Sequence, residues 1–99
     1  MNIQQMMKQA QQMQDRMQKQ MAEMRIEATS GGGMVTVTAN GGMEIVSVVI
    51  NPEAAKSGDV DMLQDLVLAA SNDALKKARQ MMADQMKSVT GGMNLPGLF

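Results

Sequence analysis

Gly31-Gly32-Gly33-Met34-Val35-Thr36-Val37-Thr38-Ala39-Asn40-Gly41-Gly42-Met43-Glu44-Ile45-Val46-Ser47-Val48-Val49-Ile50 is the stretch that decides the fold. It reads as two strands, residues 34–39 and 43–50, joined by a tight turn at Asn40-Gly41-Gly42. Asn-Gly between β-rich runs is a strong hairpin signal, and the type I′ turn it favours needs φ > 0 at both central residues. Alternation places Val35, Val37 and Ala39 on one face of the first run and Met34, Thr36 and Thr38 on the other. In the second run Val46, Val48 and Ile50 share a face, with Ile45, Ser47 and Val49 opposite. The second face is half-polar, so helices are expected on the first. Just upstream, residues 26–29 read as a short strand with Ile26 and Ala28 on one face, and Ser30-Gly31-Gly32-Gly33 as a flexible break. Three antiparallel strands in a meander leave two bare edges, and bare edges invite pairing.

Helices flank the sheet on both sides. Residues 2–25 are rich in Gln, Met and Lys and contain no Gly or Pro, which favours an uninterrupted helix. Ile3, Met6, Ala10, Met13, Met17, Met21 and Met24 step by three or four and fall within about 80° of one another at 100° per residue. That is a narrow seam, slipping once at Gln20, and nearer to a coiled-coil stripe than to a core face. Such a rod is roughly 36 Å long, whereas a compact domain of this size has a radius of gyration of about 13 Å. The rod is therefore expected to overhang its domain and to want a partner, most simply a second copy meeting it at Met6, Met13, Met17 and Met24. After the sheet, Asn51-Pro52-Glu53 opens a one-turn helix with Asn as N-cap and Pro at its first position, and Ser57-Gly58 ends it. A last long helix starts near Asp59 or Asp61 and runs to about Ser88. Leu63, Leu66, Val67, Ala70, Ala74, Ala78, Met81 and Met82 form its apolar face. Thr90-Gly91-Gly92 is expected to stop it. The organisation predicted is one α+β domain over residues 1–90 (a protruding helix at 1–25, the sheet at 26–50, helices at 51–88), with 91–99 as a flexible tail.

Composition narrows the chemistry. The 99 residues include fourteen Met and one Phe, and no Cys, His, Trp or Tyr. There is no thiolate, no imidazole base and no ordinary set of zinc ligands, so an enzyme is not expected. No apolar run reaches the roughly 18 residues of a membrane span, and the first residues lack a signal peptide's pattern. A cytoplasmic protein is the expectation. Formal net charge is −1, but it is unevenly spread. Residues 1–25 hold Lys8, Arg16, Lys19 and Arg25 against Asp15 and Glu23, a net of +2. Residues 76–87 hold Lys76, Lys77, Arg79 and Lys87 against Asp84, a net of +3.

Several pieces, in order, resemble the YbaB/EbfC family of bacterial nucleoid-associated proteins. They are Lys8-Gln9-Ala10-Gln11-Gln12-Met13-Gln14, Gly33-Met34-Val35-Thr36-Val37-Thr38, Asn40-Gly41, and Val48-Val49-Ile50-Asn51-Pro52. Met62-Leu63-Gln64-Asp65-Leu66-Val67, Ala69-Ala70-Ser71-Asn72-Asp73-Ala74 and Gly92-Met93-Asn94-Leu95-Pro96-Gly97 continue the series. The resemblance covers nearly the whole chain. It implies an α-β-β-β-α fold, a tweezer-like homodimer with protruding helices, binding of double-stranded DNA in the nucleoid, and no catalysis or cofactor. It also implies a link to replication, recombination or repair proteins. Two departures are visible: the start is shorter than the Gly-rich leader of many members, and the chain is acidic overall.

Each candidate feature has a plain alternative. On the last helix Lys76, Arg79 and Lys87 fall within about 80° of one another, opposite the apolar face, with Lys77 beside them. Lys8, Arg16 and Lys19 form a like stripe on the first helix. Both stripes fit salt-dependent phosphate contact without base readout; both also fit solvated faces with charges matched to the helix dipole. The Met stripe fits a dimer seam, an adaptable groove for a partner protein as in an adaptor or holdase, or thioether ligation of Cu(I). Gly31-Gly32-Gly33 and Asn40-Gly41-Gly42 lead into strands, not helix N-termini, so they are turns and not phosphate cradles. Asp59, Asp61 and Asp65 lack the spacing of a calcium loop and suit a helix start. With no aromatic before Phe99, base stacking on a single strand is not expected.

Overall fold

A computed structural model describes residues 2–93, with side chains described to Lys87. The element order is α1 (Ile3–Glu23), β1 (Ile26–Ser30), β2 (Val35–Ala39), β3 (Ile45–Ile50), α2 (Pro52–Lys56) and α3 (Val60–Met93). The strands form one antiparallel sheet in the order β1-β2-β3. This is the expected α+β arrangement with long helices at both ends of the chain.

Local chemistry explains where the helices start. Asn2 caps α1, its side chain accepting from the Gln5 amide at 2.8 Å. Asn51 caps α2 through the Glu53 amide at 2.9 Å, and Gly58, at φ +73°, turns the chain away. Asp59 caps α3 through the Met62 amide at 3.0 Å. The other end of α3 departs from expectation. Its helical backbone continues through Gly91-Gly92 to Met93. Glycine costs only about 1 kcal/mol relative to alanine in a helix, and the next proline is Pro96. The expected tail beyond residue 93 lies outside the described residues.

The turn at Asn40 is not type I′. Positive φ falls on Met43 (63°), whereas Gly41 and Gly42 keep ordinary values. The Met43 amide donates to the Asn40 carbonyl at 3.3 Å and the Asn40 amide to the Glu44 carbonyl at 2.9 Å. This is a three-residue loop with a left-handed third residue. The buried Asn40 carboxamide organises it, accepting from the Gly42 and Glu44 amides at 2.9 and 3.0 Å. A bulge follows: Thr38 pairs with Ser47 and Ala39 with Ile45, leaving Val46 extra. Ile45 is thereby placed opposite Ala39, on the face that simple alternation denied it. The Ser30–Gly33 break is also a defined turn, with Gly31, Gly32 and Gly33 all left-handed and the Gly33 amide bonded to the Ser30 carbonyl at 3.2 Å.

The core is thin. Ile26, Ala28, Val35, Val37 and Ala39 meet Ala70, Ala74 and Ala78 of α3, with Met24, Leu66, Val67 and Leu75 packed around them. Alanines at every turn of α3 bring the helix close to the sheet, and the largest fully buried side chains are Val35 and Val37. Ser30 Oγ donates to the Leu66 carbonyl at 2.6 Å and ties β1 to α3. The helix lies over β1 and β2 and barely reaches β3. Pairing puts Val48 opposite Val37 and Ile50 opposite Val35, on the α3 face as expected. The expected helix cover over them is nonetheless missing, since all six residues of β3 are exposed. The Cα radius of gyration is 19.2 Å and the molecule measures 64 × 31 × 15 Å, so it is elongated.

Candidate nucleic-acid interface

The site begins with how the two long helices leave the sheet. α1 has no buried residue along its 21-residue length. It is seated by its last turn alone. Met24 packs against the core cluster, and the buried Gly41 amide donates to the Met21 carbonyl at 2.9 Å. Arg25 Nη1 closes the helix end, donating to the Ala22 and Met24 carbonyls, each at 2.8 Å. Next to this joint α1 and α3 share a cleft of about 310 Å³ lined by Met17, Gln20, Met21, Met24, Met82 and Gln85. α1 and the distal part of α3 therefore leave the sheet from the same end as a pair of arms.

Both basic stripes are solvent-exposed. Lys8, Arg16 and Lys19 stand on α1, and Lys76, Lys77, Arg79 and Lys87 on α3. On a helical wheel Lys76, Arg79 and Lys87 lie opposite the buried Ala70, Ala74 and Ala78. Lys77 lies outside that arc, toward the edge of the buried face, and pairs with Asp73 at 3.5 Å, one helical turn back. Among the described residues this is the ion pair that engages a lysine; Lys76, Arg79 and Lys87 hold no such partner. The same arc of α3 begins with Asp61 and Asp65 and ends with Lys87, so its charge changes sign along its length. Asp15 flanks the arc of Lys8, Arg16 and Lys19 on the Lys8 side, which makes the α1 stripe the weaker of the two.

The Met seam divides. Met6, Met13 and Met17 are exposed at 55, 65 and 59 %. Met24 is half-buried and seats α1 on its own domain. Sequence reasoning missed a second apolar surface. Between β3 and α3 runs an open groove of about 480 Å³ lined by Ile50, Val60, Leu63, Gln64, Val67, Leu68 and Ser71. Beside it Val46 and Val48 stand open, at 41 and 45 %. The signal was present in β3, where five of the six residues are apolar, more than one alanine-faced helix covers. Among the described residues no group of three or more acidic side chains is arranged to hold a metal ion, and no helix is long and apolar enough to cross a membrane.

The sequence model of the YbaB/EbfC DNA-binding family matches residues 1–93. A nucleoid-associated protein of Caldanaerobacter subterraneus is 54% identical over 101 residues, covering 99% of this chain and 91% of the relative. One from Thermoanaerobacter pseudethanolicus is 52% identical with the same coverage, and one from Clostridium novyi 53% identical over 100% of this chain and 90% of its own. The crystal structure of an uncharacterized protein from Helicobacter pylori shares the fold, with a TM-score of 0.62 at 22% identity over 82% of this chain and 94% of that one.

Proposed function

Since the chain belongs to the YbaB/EbfC DNA-binding family of nucleoid-associated, non-enzymatic proteins, we propose that it acts as a homodimer that grips double-stranded DNA by its phosphates and compacts or bridges it. Its place is then the nucleoid, within reach of replication or recombination proteins. The observation that carries this reading is the stripe of Lys76, Arg79 and Lys87, exposed, without an ion-pair partner among the described residues and opposite the buried alanines. The second stripe, Lys8, Arg16 and Lys19, supports it from α1. Cations that meet phosphates without reading base edges give affinity with little sequence preference.

The dimer follows from what one chain leaves uncovered. A β3 edge flanked by an apolar groove is a surface that a second copy of itself can cover. Burial of apolar area there, at about 25 cal/mol per Å², adds to a core whose largest fully enclosed side chains are valines. In a dimer the exposed Met6, Met13 and Met17 offer a further seam between arms. Sedimentation should give twice the 10.7 kDa chain mass.

A duplex titration against salt tests the DNA reading. In a dimer the three free α3 cations double, and log K should fall with log[salt] at a slope of about −5 if each meets one phosphate. Lys76→Gln with Arg79→Gln removes four of these charges and should flatten the slope to about −2. Salt-independent affinity would refute phosphate contact. An unchanged slope in the double variant would move the site to Lys8, Arg16 and Lys19. If duplex fails to bind at any salt, the open Met6, Met13 and Met17 seam makes capture of a partner protein the better reading.

A further inference from the structure

We propose that Met24 is an oxidation site, and that its sulfoxide releases α1 from the sheet. Met21 and Met24 are both half-buried at the C-terminal end of α1, but among the described residues it is Met24, the C-cap, that packs against the core cluster. Its sulfur lies so close to Gly41 that a Cβ built there would be 2.9 Å from Sδ. The same residue lines the 310 Å³ cleft between α1 and α3, which is roomy enough to admit a hydroperoxide little larger than water. One sulfur therefore combines access for a small oxidant with a role in holding an arm.

The chemistry is an oxygen transfer. A thioether lone pair attacks one peroxide oxygen, the O–O bond breaks, an S–O bond forms, and the proton on the transferred oxygen passes to the other oxygen, which leaves as water. Sulfur loses two electrons and the peroxide gains them. The product is polar and must keep its new oxygen hydrated or hydrogen-bonded. At the Gly41 contact it finds a packed backbone, and the Gly41 amide already serves the Met21 carbonyl. The sulfoxide either draws that amide away or turns out into the cleft. In both cases the last turn of α1 loses the Met24 contact with the core, and no residue of α1 itself is buried to retain it. Met6, Met13 and Met17 can oxidise without moving the arm, since they touch no core. The device does not depend on what the arm grips.

The test is the solvent exchange of the Gly41 amide, followed by NMR in the full chain before and after hydrogen peroxide, with sulfoxides mapped by mass spectrometry. Once Met24 is converted, Gly41 protection should fall at least about tenfold, and methionine sulfoxide reductases should restore it. Met24→Leu should keep its protection under the same treatment, while Met17→Leu should lose it as the parent does. The proposal is overturned by full Gly41 protection with Met24 as sulfoxide, by an equal loss in Met24→Leu, or by a Met24 that stays reduced while Met6, Met13 and Met17 convert.

Discussion

Gly41→Ala should weaken the protein by about 1–3 kcal/mol, the usual range for overpacking, and for a reason unconnected with glycine's backbone freedom. Gly41 is not among the left-handed residues, so alanine meets no conformational penalty there. By stiffening the unfolded chain it would even contribute about 0.4–1 kcal/mol of stability. Against this stands space. The new Cβ would lie 2.9 Å from Met24 Sδ, 3.1 Å from the Met21 carbonyl oxygen and 3.2 Å from Met21 Cα. The thioether can rotate away. The Met21 backbone cannot, because it is the end of a helix, so α1 itself must shift and strain the 2.9 Å bond between the Gly41 amide and Met21. A net hydrogen bond is worth about 1 kcal/mol, which adds to the clash. Urea unfolding at fixed protomer concentration measures the loss, fixed because the proposed dimer would make apparent stability concentration-dependent. Gly42→Ala is the control: its Cβ would meet Asn40 Oδ1 at 3.4 Å and Glu44 Oε1 at 3.6 Å, ordinary contacts. It should stay within about 0.5 kcal/mol of the parent. A Gly41→Ala protein as stable as the parent, or a Gly42→Ala loss of equal size, would refute the close-packed joint.

Three further outcomes follow from the same geometry. Val48→Asp places a charge on the open β3 face and should shift the sedimenting species to the 10.7 kDa chain mass; an unaltered dimer would put the interface elsewhere. Ala74→Leu forces a larger side chain between α3 and the sheet and should cost about 1–3 kcal/mol in a urea melt, against little change for Ala83→Leu on the exposed side. Ser30→Ala removes the 2.6 Å bond to the Leu66 carbonyl and should cost about 1 kcal/mol by the same measurement.

The elements were legible because their signals are local. The unbroken Gln/Met run gave α1, Asn51-Pro52 and Gly58 bounded α2, and the apolar spacing from Leu63 to Ala78 placed the buried face of α3. The errors have two causes: the Asn40 loop and the helical Gly91-Gly92 are local choices that the residues leave open, and the others turn on contacts between distant residues. Asn-Gly pointed to a type I′ turn, but the Asn40 carboxamide supports a wider loop, and Gly41 answers to α1 rather than to the turn. The β3 bulge is a feature of pairing, and nothing in the single strand announces it. That α3 would cover only β1 and β2 depends on its alanines sitting close over those two strands. The basic stripes were readable on a helical wheel, since exposure opposite a buried face needs no tertiary knowledge. Lys77's partner Asp73 lies at ordinary helical spacing and could have been found the same way. Binding of DNA was not readable from the charges themselves, because phosphate contact uses scattered cations and requires no fixed spacing.

An arm with no buried side chain is also an arm whose sequence the fold does not police. Along α1 only the last turn touches the domain, so variation in its first five turns is filtered by helix propensity and by whatever the arm grips. Such a helix can acquire new charges or a new seam one residue at a time, with folding left intact at every step. A sheet constrained by its packing beside an arm constrained by what it grips is a route by which one scaffold can be retuned to different partners.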